Sequence, residues 1–253
     1  MHAVEGHGRD GIMKVAAIIQ ARMGSERLPG KVMRKLKGQS ILWHIVKRLR
    51  HALSVSEIVV ATTDNDSDNM IVNQCKLMDV PVFRGSEEDV LNRYYFASKV
   101  VKSDYICRIT SDNPLVEPGF IDMATARITF SGEDYIAIDG CPLGTGIELF
   151  TKEALNIAAE KARKPSDREH VTPYIRNHPD TFRIGYIEVP LSLMYPDLRL
   201  TVDTKDDYAL LQMIYNRLYR EGSIICIHDV IKLMLNEPEL IHMNAHVQQK
   251  LVG

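Results

Sequence analysis

Short apolar runs alternate with amphipathic segments along the first half of the chain. This alternation is typical of a largely parallel β-sheet whose strands are connected by helices. The pattern predicts strands at residues 15–19, 57–61, 80–83 and 105–109, and helices at residues 41–49, 71–77 and 90–95. The expected fold class is therefore α/β.

The second half of the chain is less regular. We expect strands at 135–138, 182–189 and 198–202, a glycine-rich loop at 140–146, helices at 152–163 and 169–176, a helix capped by residues 203–207 that runs to about 219, and a last helix from about 229. Since no proline-rich linker marks a boundary, the predicted organisation is a single domain at 13–253 with a small inserted lobe at about 130–195. Residues 1–12 are rich in glycine, histidine and charge, and are predicted to be a disordered extension.

Composition excludes several classes of partner. The formal net charge of −2, with 25% charged and 45% hydrophobic residues, is that of an ordinary soluble globular protein. A nucleic-acid-binding protein would be expected to carry a strong positive field, which this balance does not supply. The four cysteines lack CxxC spacing, and no apolar run has the length of a membrane span. We therefore expect a cytoplasmic protein with reduced thiols that binds neither nucleic acid nor membrane.

The loop after the first predicted strand concentrates glycine and positive charge. Gly24 and Gly30 allow close approach of the backbone to a ligand, and free N–H groups in such turns bind anions. Arg22, Arg27 and Lys31 add three cations to the same segment. The spacing fits neither a P-loop nor a dinucleotide-binding fingerprint. The loop is predicted to bind a polyphosphate, and the alternative is a solvated basic loop.

Four polar clusters follow predicted strands, at residues 21–31, 84–86, 112–113 and 203. Ligands of open α/β sheets bind at the carboxyl ends of strands. If the strands before Asp112 and Asp203 are neighbours, the two carboxylates could share a magnesium ion with phosphate oxygens. The alternatives are helix capping for Asp203 and an Asx-turn before Pro114 for Asp112.

Five sequence blocks carry a family resemblance: QARMGSERLPGK at 20–31, RGSEEDVLNRY at 84–94, RITSDNP at 108–114, REHVTPY at 168–174 and LTVDT at 200–204. They closely resemble the motifs of the cytidylyltransferases that make CMP-activated acidic sugars. The spore-coat polysaccharide biosynthesis protein F branch is the most similar, and the CMP-Kdo and CMP-sialic acid synthetases are more distant. The blocks occur in the family's order and span residues 14 to about 220.

The resemblance implies a fold and a set of site residues. The implied fold is of the nucleotide-diphospho-sugar transferase type, a Rossmann-like mixed sheet with helices on both faces and a small inserted lobe. The implied catalytic residues are Arg22, Lys31, Asp112 and Asp203, of which Asp112 and Asp203 would bind Mg²⁺. The implied nucleotide-binding residues are Arg22, Gly24, Ser25, Arg27, Lys31, Arg84 and Ser86, and the implied substrate-binding residues are Arg108, Glu148, Arg168 and His170.

The function that the resemblance implies is transfer of CMP from CTP to an acidic sugar or related anionic acceptor, with release of pyrophosphate. Such an enzyme would serve surface polysaccharide or glycan biosynthesis and would be a homodimer. Two alternatives remain open. A nucleotide-sugar-dependent glycosyltransferase usually carries an Asp-x-Asp metal motif, and Asp64-Asn65-Asp66 has that spacing, although it resembles helix-capping chemistry. A nucleotide-sensing protein could also retain the fold.

Overall fold

Strands from both halves of the chain form one central sheet. The computed structural model describes residues 14–249, so the predicted extension at 1–12 lies outside the described residues. The strands are β1 (Val15–Gln20), β2 (Lys35–Leu36), β3 (Gln39–Ser40), β4 (Val55–Thr63), β5 (Val82–Gly85), β6 (Tyr105–Thr110), β7 (Tyr135–Asp139), β8 (Glu148–Thr151) and β9 (Ile184–Glu188). Seven of them form a sheet in the order β5-β4-β1-β6-β8-β7-β9, and β2 pairs with β3 separately.

The sheet is mixed because one strand runs against the others. Strands β5, β4, β1 and β6 are parallel, whereas β8 pairs antiparallel with both β6 and β7. Strand β9 then pairs parallel with β7. The segment 130–195, predicted as an inserted lobe, therefore contributes β7, β8 and β9 to the same sheet as β1.

Helices cover both faces of the sheet, as the resemblance implied. They are α1 (Ile41–Leu49), α2 (Asn69–Leu77), α3 (Val90–Lys99), α4 (Pro118–Ser131), α5 (Lys152–Lys161), α6 (Pro165–His170), α7 (Pro173–Arg176), α8 (Lys205–Leu218), α9 (Ile227–Asn236) and α10 (Pro238–His242). Polar caps start several of them: the side chains of Ser40, Asp89 and Thr151 accept backbone N–H groups at the first turns of α1, α3 and α5. Within residues 14–249, none of these helices is long and apolar enough to cross a membrane.

Strand β1 is the centre of the hydrophobic core. Val15, Ala17 and Ile19 belong to the cluster on one face, and Ala16 and Ile18 belong to the cluster on the other. Successive side chains of a strand point to opposite faces, so a fully apolar strand must be covered on both. This explains the continuous apolar run in the sequence.

Two predicted elements in the second half differ from the structure. The helix expected at 169–176 is two short helices, because Val171 takes a left-handed φ of 72° and Pro173 begins a new helix. The strand expected at 198–202 is instead an extended segment with one isolated bridge, between Leu143 and Arg199. Helix α4 and strand β8 were not predicted, since α4 has a weak apolar stripe and β8 has four residues.

The extended segment 198–202 lies directly against a glycine. Leu143 donates to the Leu198 carbonyl and accepts from the Leu200 N–H, both at 2.8 Å. Gly144 has a φ of 98°, and a Cβ there would lie 2.7 Å from the backbone nitrogen of Thr201. Only glycine fits this close approach without displacing one of the two backbones.

Candidate active site

A cleft of about 830 Å³ opens at the carboxyl ends of β1 and β6, on the side covered by α3 and α6. Its walls are made by the loop at 20–31, the segment 87–93, residues 110–112, the helix around 165–170 and Asp203. Many of the predicted site residues line it: Arg22, Ser25, Arg27, Lys31, Asp112, Arg168, His170 and Asp203. The fold thus brings together residues separated by more than half of the chain.

Lys31 lies between the two aspartates at one end of the cleft. Its Nζ donates to Oδ2 of Asp112 at 3.0 Å and to Oδ1 of Asp203 at 2.8 Å. Gly30, with a φ of 66°, turns the chain into the 3-10 turn that begins at Lys31. Burial alone would lower the pKa of Lys31, but the two carboxylates outweigh it and raise the pKa above its ordinary value. Lys31 is therefore a fixed cation at neutral pH.

Asp203 is surrounded by positive charge. Besides Lys31, its carboxylate contacts Arg27 at 3.0 Å and Arg199 at 2.8 Å. Burial would raise the pKa of Asp203, yet these cations hold it below its ordinary range. Helix capping, the alternative interpretation of Asp203, is carried out by its neighbour Thr204, which forms a capping box with Asp207 at the start of α8.

A buried network of hydrogen bonds and ion pairs fixes the position of Asp203. The fully buried carboxylate of Asp207 accepts from Arg199 at 2.8 Å and from the Asp203 backbone N–H at 2.9 Å. Asn244, near the end of the described chain, donates to Asp207 at 2.8 Å. Gln249 accepts from Arg199 at 2.7 Å. Sequence reasoning missed all three residues: chain folding brings Asn244 and Gln249 to the site, whereas Arg199 lies four positions before Asp203, just outside the LTVDT block.

Asp112 reaches Asp203 through loops rather than through neighbouring strands. The Val202 N–H donates to the Asp112 carbonyl at 2.8 Å, which joins the segment 198–202 to the loop after β6. The Thr110 hydroxyl donates to Oδ1 of Asp112 at 2.5 Å and leaves Oδ2 for Lys31. The condition that neighbouring strands carry the two aspartates is not met, because 198–202 is not a strand of the sheet, yet both carboxylates contact Lys31.

The start of the loop is held by Asp68, which sequence reasoning did not identify as a site residue. Asp68 is 1% exposed and accepts the Met23 N–H at 2.8 Å. It also accepts the hydroxyls of Thr62 and Thr63 at the end of β4. Burial would raise the pKa of Asp68, but these hydrogen bonds lower it. Its carboxylate ties the loop to the sheet.

Three predicted nucleotide-binding residues lie outside the lining of the cleft. Arg84 donates to the carbonyls of Thr63 and Asn65 at the end of β4, and the Ser86 hydroxyl accepts the Asp89 N–H. Gly24 lies near Glu87, whose carboxylate accepts from Arg22 at 2.7 Å. Direct nucleotide contacts by these three residues remain a prediction.

The Asp64-Asn65-Asp66 segment, which motivated the glycosyltransferase alternative, also lies apart from the cleft. Asp64 and Asp66 are exposed and are not among the residues that line the cleft. The spacing matches that of an Asp-x-Asp motif. The segment follows β4, however, and does not lie at the end of the cleft that contains Lys31, Asp112 and Asp203.

A second pocket of about 440 Å³ adjoins the cleft, and Thr110 lines both. Arg108 and Glu148 lie here and form a largely buried ion pair at 2.5 Å. The same carboxylate accepts from the hydroxyls of Tyr135 and Thr172. Burial would raise the pKa of Glu148, but Arg108 and these hydroxyls lower it. Arg108 is therefore neutralised by the chain itself.

The other two predicted substrate-binding residues lie on α6, in the larger cleft. Arg168 forms an ion pair with Asp89 at the start of α3, which joins the two helices across the cleft wall. His170 is half-buried, and burial together with Arg108 and Arg176 lowers its pKa against the opposing influence of Glu169. A lowered pKa favours the neutral form of its imidazole.

Comparison with known proteins identifies the class to which this fold and site belong. Residues 16–227 match the family described as cytidylyltransferase, so the chain belongs to the cytidylyltransferase family. It is accordingly a CTP-dependent nucleotidyltransferase.

Individual relatives cover nearly the whole chain. It is 40% identical over 240 residues to the uncharacterized protein MJ1063 of Methanocaldococcus jannaschii, covering 94% of this chain and 97% of that protein. It is 37% identical over 227 residues to the spore coat polysaccharide biosynthesis protein SpsF of Bacillus subtilis, covering 88% and 94%. A solved cytidylyltransferase from Leptospira borgpetersenii superposes with a TM-score of 0.83 at 30% identity, covering 94% of this chain and 99% of that one.

Proposed function

We propose that this enzyme transfers CMP from CTP to an acidic sugar or related anionic acceptor and releases pyrophosphate, in surface polysaccharide or glycan biosynthesis. The observation that carries the proposal is the position of Lys31, whose Nζ lies within 3.0 Å of both Asp112 and Asp203 in a cleft large enough for a nucleotide. The similarity to SpsF supports the polysaccharide assignment. A homodimer remains a prediction.

In this mechanism the chain mainly positions reactants and neutralises charge. An acceptor oxygen attacks the α-phosphorus in line, the new O–P bond forms, and the bond to pyrophosphate breaks. Lys31, Arg22 and the backbone N–H groups of the loop stabilise the negative charge on the departing pyrophosphate. His170 is a neutral base in the cleft that can accept the proton of the attacking hydroxyl.

The donor set at one end of the cleft fits a divalent cation. One oxygen of Asp112 and one of Asp203 converge on a single cationic atom, the Lys31 Nζ, so both can reach one metal ion. Mg²⁺ is usually held by one or two carboxylates together with phosphate oxygens. Asp112 and Asp203 would hold it, and it would supply charge stabilisation at the α-phosphate. Lys31 would then contact the phosphates rather than the carboxylates.

The second pocket supports an anionic acceptor. Arg176 lines this pocket and forms no ion pair within the described part of the chain, whereas Arg108 is matched by Glu148. One unmatched guanidinium suits one carboxylate, since arginine binds carboxylates through two parallel hydrogen bonds. Thr110 lines both the pocket and the cleft, so an acceptor bound in the pocket would lie beside the nucleotide.

A pyrophosphate-release assay tests the proposed reaction. We expect release from CTP with at least one member of a panel of acidic sugars, and none with the corresponding neutral sugars. Arg176→Met should raise the KM for the acceptor with little change in the KM for CTP. UDP release from a UDP-sugar, or pyrophosphate release that is equally fast with neutral sugars, would contradict the proposal.

Removal of divalent metal tests the proposed metal site separately. Excess chelator should abolish turnover, and added Mg²⁺ should restore it, because the carboxylates of Asp112 and Asp203 both line the cleft and can hold one ion together with phosphate oxygens. Asp112→Asn should raise the Mg²⁺ concentration needed for half-maximal activity. Full activity in chelator would remove Asp112 and Asp203 from the metal assignment.

A further inference from the structure

We propose that Asn244 and Gln249, near the end of the described chain, are positioning residues that orient the carboxylate of Asp203 for metal binding. The inference rests on the proposed function, in which Asp112 and Asp203 hold Mg²⁺, and it adds the residues that set the affinity for that ion. Both residues follow α10 and lie outside residues 16–227, the part of the chain that matches the cytidylyltransferase family. The family resemblance implied no role for either of them.

The two oxygens of the Asp203 carboxylate have different partners. Oδ1 accepts from Lys31 at 2.8 Å, whereas Oδ2 contacts Arg27 at 3.0 Å and Arg199 at 2.8 Å. Arg27 lines the cleft and is expected to bind the nucleotide, so Arg199 is the contact that remains when CTP is bound. A guanidinium that holds one oxygen of a carboxylate fixes the direction of the other. The position of Arg199 therefore determines whether Oδ1 can share an ion with Asp112.

All three nitrogens of the Arg199 guanidinium have partners. Nη2 donates to Asp203 at 2.8 Å, and Nε donates to Oδ1 of Asp207 at 2.8 Å. Nη1 donates to Oε1 of Gln249 at 2.7 Å. The guanidinium is planar and its donors form a rigid fork, so partners on all three nitrogens fix both its position and its tilt. Gln249 therefore restricts the motion of the group that holds Asp203.

Asn244 holds the same arginine through Asp207 and through the backbone. Its Nδ2 donates to Oδ1 of Asp207 at 2.8 Å and to the Arg199 carbonyl at 3.1 Å. The other oxygen of Asp207, Oδ2, accepts the Thr204 N–H and caps α8. Asn244 thus contacts the oxygen that accepts the shorter of two bonds from Arg199, 2.8 Å against 3.2 Å. Because Asn244 is only 2% exposed, water cannot easily replace these two hydrogen bonds.

Residues that hold a metal ligand from outside set its orientation rather than contacting the ion. Their replacement typically costs about tenfold to a hundredfold in metal affinity or activity. The side chain of Gln249 is exposed, so its replacement leaves no cavity in the core. An effect of that replacement on metal binding would therefore have to pass through Arg199, which Gln249 contacts directly.

The gain in CTP affinity on addition of Mg²⁺ tests this inference. The gain is the ratio of the dissociation constants for CTP, measured by calorimetry without and with saturating Mg²⁺. We expect Gln249→Met and Asn244→Leu to lower this ratio about tenfold and to leave the constant without Mg²⁺ unchanged. The Mg²⁺ concentration for half-maximal pyrophosphate release should rise by a similar factor. Gln249→Glu, which keeps an acceptor oxygen for Arg199, should behave like the wild type.

Gln248→Met is the matched control, because Gln248 is exposed and contacts Arg27 through its backbone carbonyl. It should leave both constants unchanged. If Mg²⁺ does not tighten CTP binding by the wild type, the proposed metal site fails and this inference fails with it. If the wild type shows the gain and the variants keep it, or if they weaken CTP equally with and without Mg²⁺, only the positioning role is overturned. Thermal melting shows whether each variant is folded, and Gln249→Met alone decides the outcome if Asn244→Leu is not.

Discussion

At the scale of single side chains, ion pairs between residues that are distant in the chain hold the site together. Lys31 contacts carboxylates that lie 81 and 172 positions away in the chain. The cation-rich loop and both aspartates could be predicted from the sequence, because each follows an apolar segment at the end of a predicted strand. Arg199 and Asp68 were not identified, because Arg199 lies just outside the LTVDT block, four positions before Asp203, and Asp68 accepts an N–H from Met23, which only folding brings close.

Replacing Lys31 should remove the central cation without leaving a cavity. We expect Lys31→Met to lower kcat/KM for CTP by about a hundredfold or more, the effect of deleting one electrostatic donor aimed at developing charge. Steady-state pyrophosphate release measures it. Lys76→Met, on the exposed face of α2, is the matched control and should be neutral. An active Lys31→Met enzyme would show that the leaving group is stabilised elsewhere.

At the scale of elements, the sequence predicted helices and strands correctly where apolar residues recur at a regular spacing, and incorrectly where they do not. Strands β1, β4 and β6 are apolar on both faces, and their apolar runs identify them directly. The two short helices α6 and α7 were predicted as one helix, because nothing in the local pattern marks the positive φ of Val171 that separates them. Helix α8 begins at the predicted capping residues. One of them, Asp207, also binds Arg199.

The Asp207 carboxylate at the start of α8 should make stability depend on pH. Burial raises the pKa of Asp207, but Arg199 and Asn244 lower it below its ordinary value. A lowered pKa in the folded state stabilises the protein above about pH 4, and this contribution is lost as the pH falls further. Asp207→Asn should therefore cost about 1–3 kcal/mol at pH 7, because the buried Arg199 loses one of its two carboxylate partners and keeps only Asp203.

Urea unfolding at pH 7 and pH 3 measures this effect. The difference between wild type and Asp207→Asn should shrink at pH 3, because the Asp207 carboxyl of the unfolded chain is largely protonated there. Asp206→Asn is the control, since Asp206 is exposed and its contact with His246 contributes little. A difference of equal size at both pH values would mean that charge at Asp207 is not the cause.

For the whole molecule, the sheet could be predicted in part. Its parallel half follows from alternating apolar and amphipathic segments, and the fold class follows from that half. The antiparallel insertion of β8 between β6 and β7 carries no local signal, because its four residues fit a loop equally well. The cleft combines segments from residue 20 to residue 203, so ligand binding there is coupled to unfolding of the entire sheet.

This coupling predicts a measurable gain in thermal stability. CTP at a concentration of about 100 times its dissociation constant should stabilise the native state by about 2.7 kcal/mol. For a domain of this size that corresponds to a rise in Tm of about 5–10 °C. Differential scanning calorimetry measures the shift, and Lys31→Met should show much less of it at the same CTP concentration. A full shift in that variant would place the nucleotide away from Lys31.

Gly144 does not line the cleft, yet its conformation affects the position of residues that do. Its backbone passes so close to Thr201 that a single added methyl group would force the two segments apart. The segment it would move carries Val202, which binds the Asp112 carbonyl, and continues into Asp203. Alanine at position 144 would therefore change the distance between the carboxylates of Asp112 and Asp203 without contacting either of them. A substitution in this turn of the second pocket is therefore expected to lower activity without altering a reacting residue.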